Sequence, residues 1–143
     1  DGMVIGGHSD KGMVPLIEKA VRNSVPVSEF LSEQRMAQVV EDTKVGGATL
    51  TGLLGTSAWY APGAAVSALV QAIGCDQKKM FPCSALLEGE FGLSDISIGV
   101  PCILGANGIE KIVEIELNAS EKAKLAESAE GVRKTNGLLE VNA

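Results

Sequence analysis

"SDISIGVPCILGANGIEKIVEIEL", residues 94–117, carries a hydrophobic period of two and sets what the rest of the chain must pack against. Ile96, Ile98, Val100, Cys102 and Leu104 fall on alternate positions, interrupted by Gly99 and Pro101. That spacing puts side chains on one face of a strand. Gly105-Ala106-Asn107-Gly108 is a turn signal. Beyond it, Val113, Ile115 and Leu117 alternate with Ile112, Glu114 and Glu116, placing two carboxylates on a solvent face. Upstream, Cys83, Ala85 and Leu87 alternate with Pro82, Ser84 and Leu86. Three such runs predict an antiparallel meander.

On either side of the meander the period changes to that of a helix. Apolar or small residues at 36, 39, 40, 43, 47, 50, 53 and 54 predict a helix starting near Ser32 and ending near Gly55. Gly46-Gly47 inside it costs about 1 kcal/mol each relative to alanine and serves either a close backbone approach or a bend. "GTSAWYAPG", residues 55–63, breaks that helix, and Pro62 suits the first turn of the next. Ala65, Ala68, Leu69, Ala72 and Ile73 line one face of this second, small-residue helix. Asn118 with Glu121 forms a capping-box start to a last helix, with Leu125, Ala129 and Val132 as its apolar stripe. The remainder, "KTNGLLEVNA", reads as a frayed polar tail.

At the beginning, residues 3–6 read as a short buried strand. Residues 13–27 are compatible with a short helix or with punctuated strands, because Pro15, Asn23-Ser24 and Pro26 break them up. No internal repeat, low-complexity segment or linker divides the chain. The sum is a single α+β domain of 143 residues.

Bulk composition excludes several classes of function. Net charge is −6, and Arg22, Arg35 and Arg133 lie far apart, so no basic stripe exists for nucleic acid. No apolar run reaches the ~18 residues of a membrane span. Cys75, Cys83 and Cys102 form no CxxC pair and sit in apolar or strand-like settings, which predicts buried reduced thiols and a cytoplasmic compartment. With one histidine and scattered cysteines, no metal site is expected. The chain opens on "DGMVIGG", without an initiator methionine and directly in a strand pattern, as a piece of a longer protein would.

That single histidine is His8, in "GGHSDKGMVP" (6–15). Imidazole titrates nearest physiological pH, and glycines beside it allow tight turns and close ligand approach, so His8 is a candidate acid/base residue. Asp10 reads as a loop-structuring residue that bonds nearby backbone amides. No GxGxxG, P-loop, HExxH or GxSxG motif is present.

"VIGGHSDKGMVPL" (4–16) resembles the catalytic-histidine segment of the lactate/malate dehydrogenase family. "GGATLTGLLGTSAWYAPGAA" (46–65) resembles that family's long helix, its break and the following small-residue helix. "LEGEFGLSDISIGVPCILGANGIEKIVEIEL" (87–117) resembles its terminal meander, and "ASEKAKLAESAEGV" (119–132) its closing helix. The resemblance runs in one order from about residue 4 to residue 133 and is nearest to the malate-specific branch.

The resemblance implies the fold of the family's carboxy-terminal domain, antiparallel strands packed with long helices. It resolves residues 13–27 as two strands joined by a turn. It implies an oxidoreductase acting on a CH–OH group, moving a hydride reversibly between malate/oxaloacetate and NAD, the malate step of the tricarboxylic acid cycle. His8 aligns with the family's proton donor and acceptor; Ser57, Ala58 and Pro62 align with positions near substrate and nicotinamide. The family's NAD-binding Rossmann domain, its substrate arginines and the Asp-x-x-Arg that orients the histidine all lie upstream. The chain alone is therefore expected to be inactive, and the full-length enzyme to be a homo-oligomer, dimer or tetramer. A lactate dehydrogenase domain and a non-catalytic self-association domain are the alternatives.

Overall fold

The computed structural model describes residues 1–139. Its centre is a five-stranded antiparallel sheet built on one long strand. β1 (Val4–Gly6) and β2 (Met13–Pro15) form a hairpin at the start of the chain. β3 (Val21–Arg22) and β4 (Val25–Pro26) make a separate two-stranded ribbon. Between them Asn23 and Ser24 both take positive φ, 50° and 67°, as a two-residue hairpin turn matching the strand twist requires. The expectation of two strands joined by a turn within residues 13–27 holds there.

α1 spans Glu33–Leu54, capped by the Ser32 side chain and closed by Gly55 at φ 68°. Both ends fall where the sequence places them. α2 spans Tyr60–Gly74, so it starts before Pro62, which sits in its first turn. The meander follows as β5 (Lys79–Glu88), β6 (Ser94–Gly105) and β7 (Gly108–Ile112). α3 (Ala119–Asn136) closes the domain, with the Asn118–Glu121 capping box formed as read. Lys134, Thr135 and Asn136, expected in the frayed tail, continue this helix. Residues 140–143 of that tail lie outside the described residues.

β6 holds the sheet together. From Ser94 to Leu104 it pairs with β5 on one side, with a bulge at Asp95, while the other side is shared between β1, at Gly6↔Gly99, and β7, from Cys102 onward. Pro101 falls between those two partners, where no ladder bond requires the N–H that proline lacks. The same proline ends β7 early. Pro101 accepts one bond from the Val113 N–H at 2.8 Å and can return none, so the third run stops pairing at Ile112 instead of continuing to Leu117. Facing is nevertheless as read: Ile115 and Leu117 turn inward, Glu114 and Glu116 outward.

The core is one cluster in which Ile5, Val14, Leu16, Leu87, Ile96, Ile98, Val100, Cys102, Leu125 and Ala129 are buried together. α3 lies across β1, β2 and β6 and supplies the last two. The other helices dock far less. α1 has no buried residue, and its second half leaves Leu53 81% exposed. Of the stripe read on α2, only Ala72 is buried; Ala68 and Leu69 are half-buried, and Ala65 and Ile73 face outward. A Cβ added at Gly46 or Gly47 would meet nothing within 4 Å, so within this chain no backbone approaches them.

At the far end of the sheet, Lys78 reaches Glu110 at 2.6 Å and Asp76 at 2.8 Å, and Asp76 accepts the Ala106 N–H. This clamp pins the turn between β6 and β7. Cysteines need one correction. Cys102 is buried and Cys83 half-buried as expected, but Cys75, just past the end of α2, is exposed. Burial, reinforced by the neighbouring Cys83, pushes the Cys102 thiol up to about 11, and burial also raises Cys83. Alkylation at pH 8 is expected to modify Cys75 first and to spare Cys102 until the protein unfolds, since the thiolate is the reacting form. Mass mapping after brief iodoacetamide treatment checks the order, and early Cys102 labelling in the folded protein contradicts it.

Candidate active site

His8 sits on the six-residue loop between β1 and β2, exposed to solvent. The strands bracket the loop with the pair Gly6↔Met13. Inside it the bonds are short and local. Gly7 N–H donates to the Gly12 carbonyl at 3.1 Å, and Ser9 N–H to the Gly7 carbonyl at 3.0 Å. Gly12 and Met13 N–H both reach the Ser9 carbonyl at 2.9 Å, and the Ser9 hydroxyl accepts from Gly12 N–H at 3.0 Å. Ser9 therefore structures the loop, the part the sequence assigned to Asp10; no hydrogen bond to the Asp10 carboxylate occurs among the described residues.

One further contact comes from outside the loop. Ser128, buried on α3, accepts the Gly7 N–H at 2.8 Å and donates its own proton to the Gly12 carbonyl at 2.7 Å. The glycines before His8 are explained by this crowding. A Cβ at Gly7 would stand 3.0 Å from Val132 Cγ2 and 3.4 Å from Ser128 Oγ. Gly6 runs at φ 94°, and a Cβ there would collide with the Gly12 carbonyl oxygen. Sequence reasoning misses Ser128, although a signal exists. It is a hydroxyl three residues after Leu125 and one before Ala129, on a stripe that is otherwise apolar.

Between the loop and α3 lies an open groove of about 450 Å³. His8, Ser9 and Lys11 line one wall; Glu127, Gly131, Lys134 and Thr135 line the other. The imidazole makes no hydrogen bond to protein among the described residues, so both ring nitrogens are open to a ligand. Such a group can give or take a proton at a bound oxygen. Ser57, Ala58 and Pro62 lie at the break between α1 and α2, with Ser57 and Pro62 exposed and Ala58 half-buried. They are not among the walls of the His8 groove. Arg133 is engaged elsewhere, donating to the Ser94 carbonyl at 2.6 Å. No group of three metal-ligating side chains occurs among the described residues. Nor does the antiparallel sheet provide the parallel strand–turn–helix crevice that takes a dinucleotide.

Comparison with known proteins finds a family match over residues 1–137, to the lactate/malate dehydrogenase alpha/beta C-terminal domain. A malate dehydrogenase of Bacteroides fragilis is 63% identical over 139 residues, 97% of this chain and 44% of the relative. The solved malate dehydrogenase of Salinibacter ruber superposes with a TM-score of 0.94 at 43% identity, covering 98% of this chain and 46% of that one. The lactate dehydrogenase of Eimeria maxima, solved with NADH and oxamate, gives a TM-score of 0.93 at 34% identity over 97% of this chain and 44% of that one. The chain thus spans less than half the length of the relatives it matches.

Proposed function

The chain belongs to the lactate/malate dehydrogenase family, and from that membership we propose that it is the catalytic carboxy-terminal domain of an NAD-dependent malate dehydrogenase. The observation that carries the reading is His8, held by a glycine-walled loop at the mouth of a groove with its imidazole open. In reduction, imidazolium donates a proton to the oxaloacetate carbonyl oxygen; in oxidation, neutral imidazole takes the malate hydroxyl proton. Proton transfer of this kind typically contributes 10²–10⁴-fold. NAD, when bound, exchanges the hydride. The described residues offer no cradle for it, so a Rossmann domain preceding this one is proposed to hold the dinucleotide, the arginines that grip both substrate carboxylates and the carboxylate that orients His8. Malate is preferred to lactate because the malate dehydrogenase relative is 63% identical, against 34% for the lactate dehydrogenase.

Ser57, Ala58 and Pro62 are proposed to face substrate and nicotinamide in the full-length enzyme. The exposed apolar side of α1 and α2, with Leu53, Trp59, Tyr60, Val66 and Val70, is proposed as surface covered by a second copy in a dimer or tetramer. That face equally suits the alternative of a self-association domain, which has no need of an open histidine. A cytoplasmic location fits three free thiols, and no helix among the described residues is long and apolar enough to cross a membrane.

The 143-residue chain by itself is expected to fold and to be inactive. Its core is continuous, but the dinucleotide site, the substrate clamp and the carboxylate that orients His8 are proposed to belong to the preceding domain, and positioning alone supplies several kcal/mol of a catalysed barrier, about 7–11 at most. Calorimetric titration with NADH and an oxaloacetate-reduction assay check this. Micromolar NADH binding, or turnover that disappears in His8→Gln, would mean that the dinucleotide site lies within these residues.

A further inference from the structure

Among the described residues, every hydrogen bond made by residues 7–12 stays inside the loop or reaches β2, except the two at the Ser128 hydroxyl. That hydroxyl uses both of its capacities at once, accepting from Gly7 on one limb and donating to Gly12 on the other. Ser128 is only 4% exposed, so these bonds lie largely away from solvent. Its neighbours on α3, Glu127 and Gly131, form the wall of the groove that His8 faces. One side chain therefore fixes the base of the histidine loop and ties it to the opposite wall.

Resting on the catalytic reading of His8, we infer that Ser128 is a positioning residue for the proton transfer. It never meets substrate. Its work is to hold the Gly7 and Gly12 backbone so that the intervening imidazole stands at one place over the groove. Without the hydroxyl the loop retains its local bonds and the packing of β1 and β2 on α3, but no hydrogen bond sets the Gly7 and Gly12 backbone against that helix. Misplacement of a reacting group by about 1 Å costs on the order of 10²-fold in rate, so the effect falls on turnover. Ground-state binding, dominated by the carboxylate clamp, is spared. Gly6 and Gly7 are the backbone counterpart of Ser128: side chains there would occupy the space through which hydroxyl and loop meet.

The test uses the full-length enzyme, with malate and NAD as probes. Ser128→Ala is expected to lower kcat by about ten- to a hundredfold, with KM for malate changed by less than about threefold. Ser128→Thr, which keeps the hydroxyl, is expected to recover most of that loss. In amide exchange, Gly7 speeds up in the alanine variant while Leu125 and Ala129 on α3 stay protected. Unchanged kcat in Ser128→Ala, in an enzyme that His8→Gln does inactivate, overturns the positioning role and leaves the catalytic reading standing. Activity retained by His8→Gln instead removes the reading itself. Should the alanine variant fail to fold, Ser128→Cys carries the same kcat comparison. Fast exchange of the Gly7 amide in the unsubstituted enzyme refutes the proposal with no variant at all.

Discussion

His8→Gln, introduced into the full-length enzyme, is expected to slow malate-dependent NAD reduction by at least about 10²-fold, or about 2.7 kcal/mol in activation free energy. NAD binding should stay within about twofold of wild type, since the domain proposed to precede this one is the one proposed to hold the cofactor. Glutamine keeps much of the size of imidazole and can still donate or accept a hydrogen bond, but it cannot carry a proton near neutral pH. The substitution is clean structurally. His8 is exposed and bonds no protein group among the described residues, while the Gly7, Ser9 and Gly12 bonds that shape its loop involve backbone and other side chains. Thermal stability is therefore expected to hold, which separates a chemical loss from a folding loss. Stopped-flow and steady-state rates with malate give the number. Near-wild-type turnover would show that the proton is handled by another group.

Why is so much of this fold legible in the sequence? Local chemistry and tertiary demand agree at its element ends. Ser32, Gly55 and the Asn118–Glu121 pair each satisfy orphan backbone groups whatever the helix packs against, so those boundaries need no knowledge of the partner. The alternating run in β6 is legible for a similar reason, because its inward face is buried along its whole length. Failures occur where a long-range relation decides. Whether Val113–Leu117 pairs depends on Pro101 lying opposite, twelve residues earlier than Val113, and periodicity along one strand does not carry that. Apolar periodicity in α1 is real, yet its second half finds no partner in this chain; the pattern reports a face to be covered without saying by what. At the site, His8 is visible because glycines and imidazole are adjacent in sequence. Ser128 is not, because its two partners stand 121 and 116 residues away.

Gly6→Ala is expected to be the most destabilising single-methyl change near the site, by about 3 kcal/mol or more. Two independent penalties combine. The residue holds φ at 94°, where an alanine is strained, and its Cβ would overlap the Gly12 carbonyl oxygen, which is itself held by Gly7 and Ser128. Relief by moving β1 away is blocked from the other side. Gly6 is the only β1 residue in register with β6, facing Gly99, and even there a Cβ on Gly99 would stand 2.7 Å from the Gly6 carbonyl oxygen. The backbones are in contact on both flanks, so the added methyl must shift a strand. For a domain of this size the melting temperature should fall by about 10 °C. Gly46→Ala supplies the control within the same chain. It lies in the middle of α1 with nothing within 4 Å, so helix propensity acts alone and should raise stability by about 1 kcal/mol. Circular dichroism melts of the two variants beside the unsubstituted chain give opposite signs if the crowding at Gly6 is real. A Gly6→Ala melt within about 2 °C of the original would instead mean that the β1–β2 loop yields, and that the histidine it carries is less firmly placed than its hydrogen bonds require.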